Sequence, residues 1–246
     1  MLKNTLCYLK FSYFGPLICS LPALATIITV VYSLLFDLDG STRTHCGVPN
    51  FLPTVSACIS RRPQCYIWRI LIALHAAPRF LFAPAWYSYH SQVYVAKGHD
   101  LYTFLTKAAI FFYIVENFML VVLSCVSSTE NRAIHENSFI IFIVCSWLFM
   151  LTTLYLCKMA ARKDLQDQKS YRLKKIFAFF NLACFSFATY LYFRHNSYCE
   201  PYVYSAFALF EYLTIFTNIF FHGTLTIDIR EYAAGMVRTD LILKQR

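Results

Sequence analysis

Residues 107–126, KAAIFFYIVENFMLVVLSCV, combine an apolar run long enough to cross a bilayer with a carboxylate, Glu116, near its middle. About 20 residues are needed to span the ~30 Å of hydrocarbon as a helix. A charged side chain at that depth costs about 2.5–3.5 kcal/mol on insertion scales, so it is expected to face other helices and not lipid. The stretch therefore predicts a bundle of membrane helices with polar side chains inside it.

The same pattern recurs along the chain, and it predicts an all-α, polytopic membrane protein with a six-transmembrane-helix bundle. The predicted spans lie near residues 14–36, 67–89, 107–126, 139–157, 175–193 and 201–224, within a single membrane domain that covers residues 1–246. Composition agrees, because 58% of the residues are hydrophobic and only 14% are charged. Soluble domains carry about 25% charged residues.

The distribution of Lys and Arg predicts that both termini are cytosolic, because cytosolic segments of membrane proteins are enriched in these residues. With that orientation the cytosolic side carries Lys3, Lys10, Lys97, Lys107, Lys158, Arg162, Lys163, Lys169, Arg172, Lys174, Lys175, Arg230, Arg238, Lys244 and Arg246. The opposite side carries only Arg43, Arg61, Arg62, Arg132 and Arg194. Residues 37–66, 127–138 and 194–200 then face the lumen or the exterior. The net charge of +9 is ascribed to this asymmetry, and nucleic acid is not expected as a partner.

Four ionisable residues lie inside the predicted spans, and counting 1.5 Å per helical residue places them in one layer near the bilayer midplane. His75 and Arg79 are four residues apart and share a helix face. Glu116 and Glu211 lie on two other spans. We expect Arg79 to pair with one of these two carboxylates. The cluster is interpreted either as a pocket for a lipid head group or as polar contacts that hold the helices together.

A second polar group lies at the predicted lumenal ends of the helices, where each of three segments brings a histidine with amide or carboxylate neighbours. The segments are Thr44–Asn50 with His45, Ile134–Asn137 with His135 and Glu136, and Arg194–Glu200 with His195. Histidine titrates near neutral pH and can act as a general base. A single histidine of this kind is more often a hydrogen-bonding residue of the rim than a catalyst, but three such segments on one side predict a shared polar pocket.

Common metal and cofactor motifs are absent from the sequence. It contains no CxxC pair, no HExxH and no HxxxH, so no metal site is predicted, with ligands from separate helices as the open alternative. The Gly-X-Ser-X-Gly elbow, the P-loop and the dinucleotide-binding glycine pattern are missing too. We therefore expect no cofactor.

The cysteines suggest one disulfide between lumenal segments. Cys46 and Cys199 lie in two such segments, and a bond between them would be stable in an oxidising lumen. Cys58 and Cys65 compete as partners, so spacing leaves the pairing open.

Several short motifs follow one another in an order that resembles a known membrane-protein family. They are His45-Cys46-Gly47-Val48-Pro49-Asn50, Trp68-Arg69, His75 with Pro78-Arg79-Phe80, Val115-Glu116-Asn117, Ile134-His135-Glu136-Asn137, and Arg194-His195-Asn196 with Tyr198-Cys199-Glu200. From about residue 44 to 222 the chain resembles the post-GPI-attachment-to-proteins factor 2 family of the wider Frag/DRAM/Sfk membrane proteins. The resemblance implies a multi-pass protein of the Golgi, and in part of the endoplasmic reticulum. It also implies GPI-anchor remodelling by reacylation of a lyso-GPI intermediate with a saturated fatty chain.

Acyl transfer needs a base for the attacking hydroxyl and hydrogen-bond donors for the developing oxyanion. The candidate catalytic residues are His135, the favoured base, with Glu136, His45 and His195. The candidate substrate-binding residues are Asn50, Arg69, His75, Arg79, Glu116, Asn117, Asn137, Arg194, Asn196, Glu200 and Glu211. The expected partners are the membrane and a GPI-anchored protein or its lyso-GPI lipid.

Two other functions stay open. A non-enzymatic lipid-binding or scaffold protein that assists a separate acyltransferase would bind lipid without turnover. A channel or transporter would need a continuous polar path, which Asn218 and His222 could extend from the midplane toward the cytosol.

Overall fold

Six long helices carry the fold, and the computed structural model describes residues 5–161 and 164–237 of the chain. In chain order the elements are β1 (Thr5–Lys10), α1 (Phe11–Phe36), α2 (Leu38–Thr42), α3 (Val55–Ile59), α4 (Gln64–Ser91), α5 (His99–Cys125), α6 (Arg132–Met159), α7 (Leu165–Tyr198), α8 (Val203–Gly223), α9 (Leu225–Asp228) and β2 (Ala233–Val237). Helices α1, α4, α5, α6, α7 and α8, the last continued by α9, are long and apolar enough to cross a membrane. The predicted all-α membrane fold with six spans is confirmed.

Two predicted connecting segments are shorter than the sequence suggested. Helix α6 begins at Arg132, where Asn131 caps it by accepting a hydrogen bond from the Ile134 amide. Helix α7 continues to Tyr198. The candidates in residues 134–137 and 194–196 therefore lie on helix ends and not in loops.

Helix α1 has a buried face of small and polar residues and an exposed apolar face. Its buried face includes Ala25, Thr26, Thr29 and Ser33, and small residues at this spacing let helices approach closely. The hydroxyls of Thr26 and Thr29 donate to the carbonyls of Pro22 and Ala25, so they stay paired away from water. Large apolar side chains are exposed on every long helix, among them Leu17, Ile70, Phe104, Leu151, Phe179 and Leu209.

The six long helices form a closed ring. Each packs against the next long helix along the chain, and α8 packs back on α1. Phe82, Trp86, Tyr113, Phe149 and Phe221 belong to a buried aromatic cluster in the interior. The ring thus encloses an apolar core in which any polar group needs a protein partner.

Helix α3 lies inside one end of the ring, which we call the loop end because residues 37–63 cover it. Val55 and Cys58 are buried together with Trp68 and Ile72 of α4. Ile72 lies about 12 Å along α4 from its first residue. The segment predicted to face the lumen as a loop therefore contributes a helix that is packed among the spans.

The opposite end, here called the terminal end, holds both described termini. Strands β1 and β2 pair antiparallel there, so residues 5–10 and 233–237 lie on the same side of the ring. That agrees with an even number of spans, while the side that faces the cytosol stays a prediction. Part of the charge asymmetry behind that prediction lies outside the described residues, namely Lys3, Arg162, Lys163, Arg238, Lys244 and Arg246.

Lys174, which the charge pattern placed in a basic cytosolic loop, is instead buried within α7. Its Nζ atom lies 2.8 Å from Asp228 Oδ2 and 2.5 Å from Ser170 Oγ. A buried ammonium group needs such a carboxylate partner. Lys174 therefore holds α9 against α7 and adds no charge to the surface.

Candidate functional site

The first polar site, the central cluster, joins Arg79 of α4, Glu116 of α5 and His222 of α8 inside the ring. His222 Nε2 lies 2.8 Å from Glu116 Oε1, and Arg79 Nη2 lies 3.8 Å from Glu116 Oε2. All three side chains are buried. Because a carboxylate accepts and a guanidinium donates, His222 carries its proton on Nε2 and turns Nδ1 toward Arg79 Nη2, 3.2 Å away. One positive and one negative charge thus flank a neutral imidazole.

Aromatic rings close the central cluster on its apolar side. The guanidinium of Arg79 lies 4.8 Å from the centroid of the Tyr113 ring, and its Nε donates to the Tyr113 hydroxyl at 3.3 Å. Phe149 stacks on the ring of His222 with centroids 5.4 Å apart. These contacts are favourable for a cation and an imidazole in a dry environment.

A fourth helix joins the central cluster through an amide. Asn218 Nδ2 donates to Ser146 Oγ of α6 at 2.7 Å and lies 3.4 Å from Glu116 Oε1. The cluster therefore connects α4, α5, α6 and α8. Arg79, which was expected to pair with Glu116 or Glu211, pairs with Glu116, and the groups around this pair come from neighbouring helices.

His75 lies on α4 with Arg79, and Asn117 lies on α5 with Glu116, but both side chains contact backbone carbonyl oxygens. His75 Nδ1 is 2.8 Å from the carbonyl oxygen of Ile18. That carbonyl lacks its usual donor one turn later because Pro22 has no N–H. Asn117 Nδ2 donates to the carbonyl of Ala76 at 2.9 Å. Both side chains therefore tie neighbouring helices together.

The prediction that Glu211 shares the midplane layer is wrong. Its Oε2 atom accepts a hydrogen bond from the backbone amide of Val55 at 2.9 Å, in the first turn of α3. Glu116 instead contacts His222, which lies eleven residues, or about 16 Å, beyond Glu211 along α8. Glu211 therefore anchors α3 and does not pair with Arg79.

The second polar site, the loop-end pair, brings Ser56 of α3 to His135 of α6. Ser56 Oγ lies 2.8 Å from His135 Nε2, and His135 Nδ1 lies 2.8 Å from the carbonyl oxygen of Val126. A carbonyl oxygen only accepts, so neutral His135 carries its proton on Nδ1 and its Nε2 accepts from the serine hydroxyl. Hydroxyl, imidazole and orienting acceptor form the arrangement that activates nucleophiles in many enzymes.

Ser56 was not among the residues singled out from the sequence, because it belongs to no motif. A signal was present in Thr54, a favoured helix-capping residue that follows Pro53 and precedes apolar Val55. In the structure Thr54 Oγ1 accepts from the Ala57 amide at 3.1 Å and caps α3. A cap at that position would have predicted a helix that starts just before Ser56.

Further contacts fix α3, and hence Ser56, against the ring. The hydroxyl of Tyr204 lies 3.3 Å from Thr54 Oγ1, and the hydroxyl of Tyr212 donates to the carbonyl of Pro53. Glu211 holds the first turn as described. All three anchors come from α8.

The turn between α5 and α6 holds the acceptor of the loop-end pair. Ser127 donates its amide to Glu130 Oε2 at 2.9 Å, and Arg69 Nη2 lies 2.5 Å from the same oxygen. The hydrogen bond from Arg69 is the main reason that the pKa of Glu130 falls to about 2. Arg69 Nε also donates to the Ser124 carbonyl at 3.4 Å. Arg69 thus lies beside the turn that carries Val126.

Glu136, a candidate to orient His135, points elsewhere. Its Oε1 accepts from Arg132 Nε at 2.6 Å on the exposed side of α6. The Val126 carbonyl takes the orienting position instead. Asn137, the next residue, is exposed as well.

The remaining rim candidates surround a disulfide between Cys46 and Cys199, the pair that the sequence favoured. His195 is buried, with Nε2 3.1 Å from Thr44 Oγ1 and its ring centroid 5.9 Å from that of exposed His45. The possible metal-ligand atoms of His45, Cys46 and Cys199 lie within 4.8 Å of one another. The two sulfurs are bonded to each other, however, so this oxidised state offers no thiolate ligand.

Four other predicted binding residues at the loop end have mainly local contacts. Arg194 Nε and Nη2 lie 2.5 and 2.9 Å from the two carboxylate oxygens of Glu200, and the hydrogen bond from Arg194 lowers the pKa of Glu200. Asn50 donates to the Val48 carbonyl at 3.2 Å. Asn196 is exposed. The structure therefore places the rim candidates of residues 45–50 and 194–200 around the disulfide. His135 lies apart from them and contacts Ser56.

Comparison with known proteins adds independent evidence. Residues 11–232 match the family model described as the Frag1/DRAM/Sfk1/Cwh43P N-terminal domain. The chain is 41% identical to Post-GPI attachment to proteins factor 2 of Caenorhabditis elegans, over 89% of this chain and 86% of that protein. It is 39% identical to Acyltransferase PGAP2 of Xenopus tropicalis, over 92% of this chain and 90% of that protein. No solved structure matches the chain significantly.

Proposed function

The chain belongs to the Frag1/DRAM/Sfk1/Cwh43P family, and we propose that it is a Golgi acyltransferase that returns a saturated fatty chain to a lyso-GPI lipid. The names of two relatives support the GPI lipid as substrate and acyl transfer as the reaction, since one is a post-GPI attachment factor and one an acyltransferase. The observation that carries it is the loop-end pair, in which His135 Nε2 is a hydrogen-bond acceptor held 2.8 Å from a hydroxyl.

The depth of the loop-end pair suits a lipid ester. His135 lies in the first turn of α6, about 5 Å from its start. The ester and free hydroxyl of a lyso-lipid lie near the boundary between head groups and hydrocarbon. A base at this depth meets the reacting hydroxyl without pulling the lipid into the core.

The side of the membrane also fits. Disulfides persist in oxidising compartments such as the secretory lumen, and the Cys46–Cys199 bond lies at the loop end. The charge asymmetry of the sequence assigns the same end to the lumen. Both arguments support the proposal that the loop-end pair lies in the leaflet that holds GPI lipids.

Acyl transfer at this site requires one residue that transfers a proton and neighbouring residues that hold it and the substrate in position. His135 Nε2 takes the proton of the attacking hydroxyl, while the Val126 carbonyl holds Nδ1–H and stabilises the imidazolium that forms. Arg69, whose side chain is 30% exposed and pairs with Glu130, offers its remaining guanidinium N–H groups to a lipid phosphate beside the site. The candidates Asn137 and Asn196 are exposed at the same end and remain proposed contacts of the glycan or head group.

A reconstitution tests the proposal directly. The full chain in lipid nanodiscs, given lyso-GPI and a palmitoyl donor, is expected to produce reacylated GPI that mass spectrometry detects. His135→Ala should abolish product while its melting temperature stays close to that of the wild type. His99→Ala, an exposed histidine at the terminal end, is the matched control and should keep full activity.

The same experiment separates the scaffold alternative. Wild-type protein that binds lyso-GPI but yields no product with any donor would overturn the acyltransferase proposal in favour of a lipid-binding helper. Full activity in His135→Ala would remove this residue as the base.

A further inference from the structure

Ser56 is placed where an attacking hydroxyl must be, and we propose that it carries the fatty acyl group as a covalent ester between donor and lyso-GPI. The inference rests on the proposed acyl transfer and specifies its mechanism. In a direct transfer, Nε2 of His135 would have to receive the proton of the lyso-GPI hydroxyl. That nitrogen instead accepts from a protein hydroxyl at 2.8 Å.

Ser56 differs from the other hydroxyl residues of short helices at the loop end. Ser60, at the opposite end of α3, donates to the Ala57 carbonyl at 2.8 Å within its own turn. Ser41 of α2 likewise donates to the Asp37 carbonyl at 2.7 Å. Such local bonds are the common structural use of a helical serine. Ser56 forgoes this bond and reaches an imidazole on a different helix.

The base in this pair is preorganised. The Val126 carbonyl fixes both the ring orientation and the tautomer of His135, which is the role of the third member in Ser-His catalytic sets. Glu211 and Tyr212 of α8 hold α3 in place, and Thr54 caps its first turn. The Ser56 hydroxyl therefore stays aligned with Nε2 without a substrate.

The loop-end pair is also within reach of a lipid. Ser56 and Ala57 are only partly buried, while His135 beside them is buried and Glu116 of the central cluster is completely buried. Access to the pair is therefore from the Ser56 side. Ile134 and Phe139 are exposed on α6 on either side of His135 in sequence. An acyl chain lying along this outer surface would have its carboxyl end at the loop end of α6, where Ser56 contacts His135.

The reaction balances in two half-steps. Ser56 Oγ bonds to the carbonyl carbon of a fatty acyl ester or thioester, and its proton passes to His135 Nε2. The bond from that carbon to the donor oxygen or sulfur breaks, and the leaving group takes the proton from His135. The lyso-GPI hydroxyl then attacks the acyl-serine, its proton passes to His135, and Ser56 Oγ leaves and regains a proton.

Trapping of the intermediate tests the inference. Wild-type protein in nanodiscs is incubated without lyso-GPI, in one arm with palmitoyl phospholipid and in the other with palmitoyl thioester. Peptide mass spectrometry is expected to find a palmitoyl group on Ser56 in at least one arm, which identifies the donor class. Addition of lyso-GPI should remove the adduct and produce reacylated GPI.

Two variants and a control complete the test. Ser56→Ala should lose the adduct and at least about a thousandfold of the turnover. Ser56→Cys should form a thioester at the same position that neutral hydroxylamine cleaves, which shows that the variant is folded and competent. Ser60→Ala should label and turn over as the wild type does.

The outcomes separate this inference from the proposed function. Near-normal product from Ser56→Ala would overturn the covalent step and leave acyl transfer standing. Neither adduct nor product from wild-type protein in both donor arms would overturn both.

Discussion

The central cluster and the loop-end pair are both built around a histidine, yet their surroundings differ in every respect that matters for chemistry. His222 contacts a carboxylate and a guanidinium, and aromatic rings exclude water from it. His135 contacts one hydroxyl and one backbone carbonyl near the end of its helix. The first histidine bridges a buried carboxylate and a guanidinium, and the second has a nitrogen that accepts from a hydroxyl.

The difference teaches that charge buried at mid-bilayer is weak evidence for catalysis. The central cluster stands out most in the sequence because ionisable groups there are costly, but its charged side chains contact one another across neighbouring helices. The loop-end pair is uncharged and hardly visible in the sequence. We therefore propose that the central cluster stabilises the fold and that the loop-end pair carries the reaction.

The largest effect is expected on removal of the central carboxylate. Glu116→Leu leaves the Arg79 guanidinium buried without its counter-charge, which costs about 3–5 kcal/mol of stability. Unfolding in mixed micelles measures the change. The double variant Arg79→Met with Glu116→Leu should recover much of it, because both charges are then absent. A stable Glu116→Leu protein that has lost only turnover would move the chemistry to the central cluster.

The disulfide comes next and tests the loop end. Cys46→Ala with Cys199→Ala opens a bond that spans 153 residues of sequence, and such a loss is expected to cost about 2–4 kcal/mol. Cys125→Ala, which removes an exposed free cysteine, should change nothing. Equal melting temperatures for the double variant and the wild type under oxidising conditions would show that the bond does not support the fold.

A smaller effect is expected from the cap of α3. Thr54→Ala removes the side-chain acceptor of the Ala57 amide and should lower stability by about 1 kcal/mol. Because Ser56 lies on this helix, turnover should fall by about tenfold or more through misplacement of its hydroxyl. Kinetic assays beside Ser60→Ala measure this. Unchanged turnover in a destabilised Thr54→Ala protein would disconnect α3 from the reaction.

The smallest effect is a pH dependence at the Arg69–Glu130 contact. The pKa of Glu130 is lowered from 4.5 to about 2, so its contribution to stability is present above pH 4.5 and disappears as the pH falls toward 2. The pair is exposed, and its contribution is therefore small and weakened by salt. Glu130→Gln should flatten the acid side of the melting-temperature profile. A melting-temperature profile identical to that of the wild type would show that the Glu130 carboxylate does not contribute to the acid dependence of stability.

Much of the fold could be predicted because it follows from long apolar runs. The six spans and the pairing of Arg79 with one of two buried carboxylates needed only length, hydrophobicity and the cost of a charge in lipid. Glu211 was misplaced because depth counted along one helix says nothing about which residues of the neighbouring helices lie beside it. Lys174 was read as a surface charge because its partner, Asp228, lies 54 residues away.

The candidate site was harder to predict, because neither of the two groups that contact His135 belongs to a recognisable sequence motif. The orienting acceptor of His135 is the backbone carbonyl of Val126. Ser56 lies on a five-residue helix, too short to show a helical period, and only tertiary packing brings it to α6. His135 itself could be chosen because imidazole chemistry suits the reaction.

The most direct test of this division of roles is turnover per folded molecule in two variants of matched chemistry, Glu116→Gln and His135→Gln. The account predicts that Glu116→Gln yields less folded protein but keeps turnover within about threefold for the molecules that fold. It predicts that His135→Gln folds normally and loses at least about a thousandfold of turnover. Retained turnover in His135→Gln, or its loss in well-folded Glu116→Gln, would contradict the account.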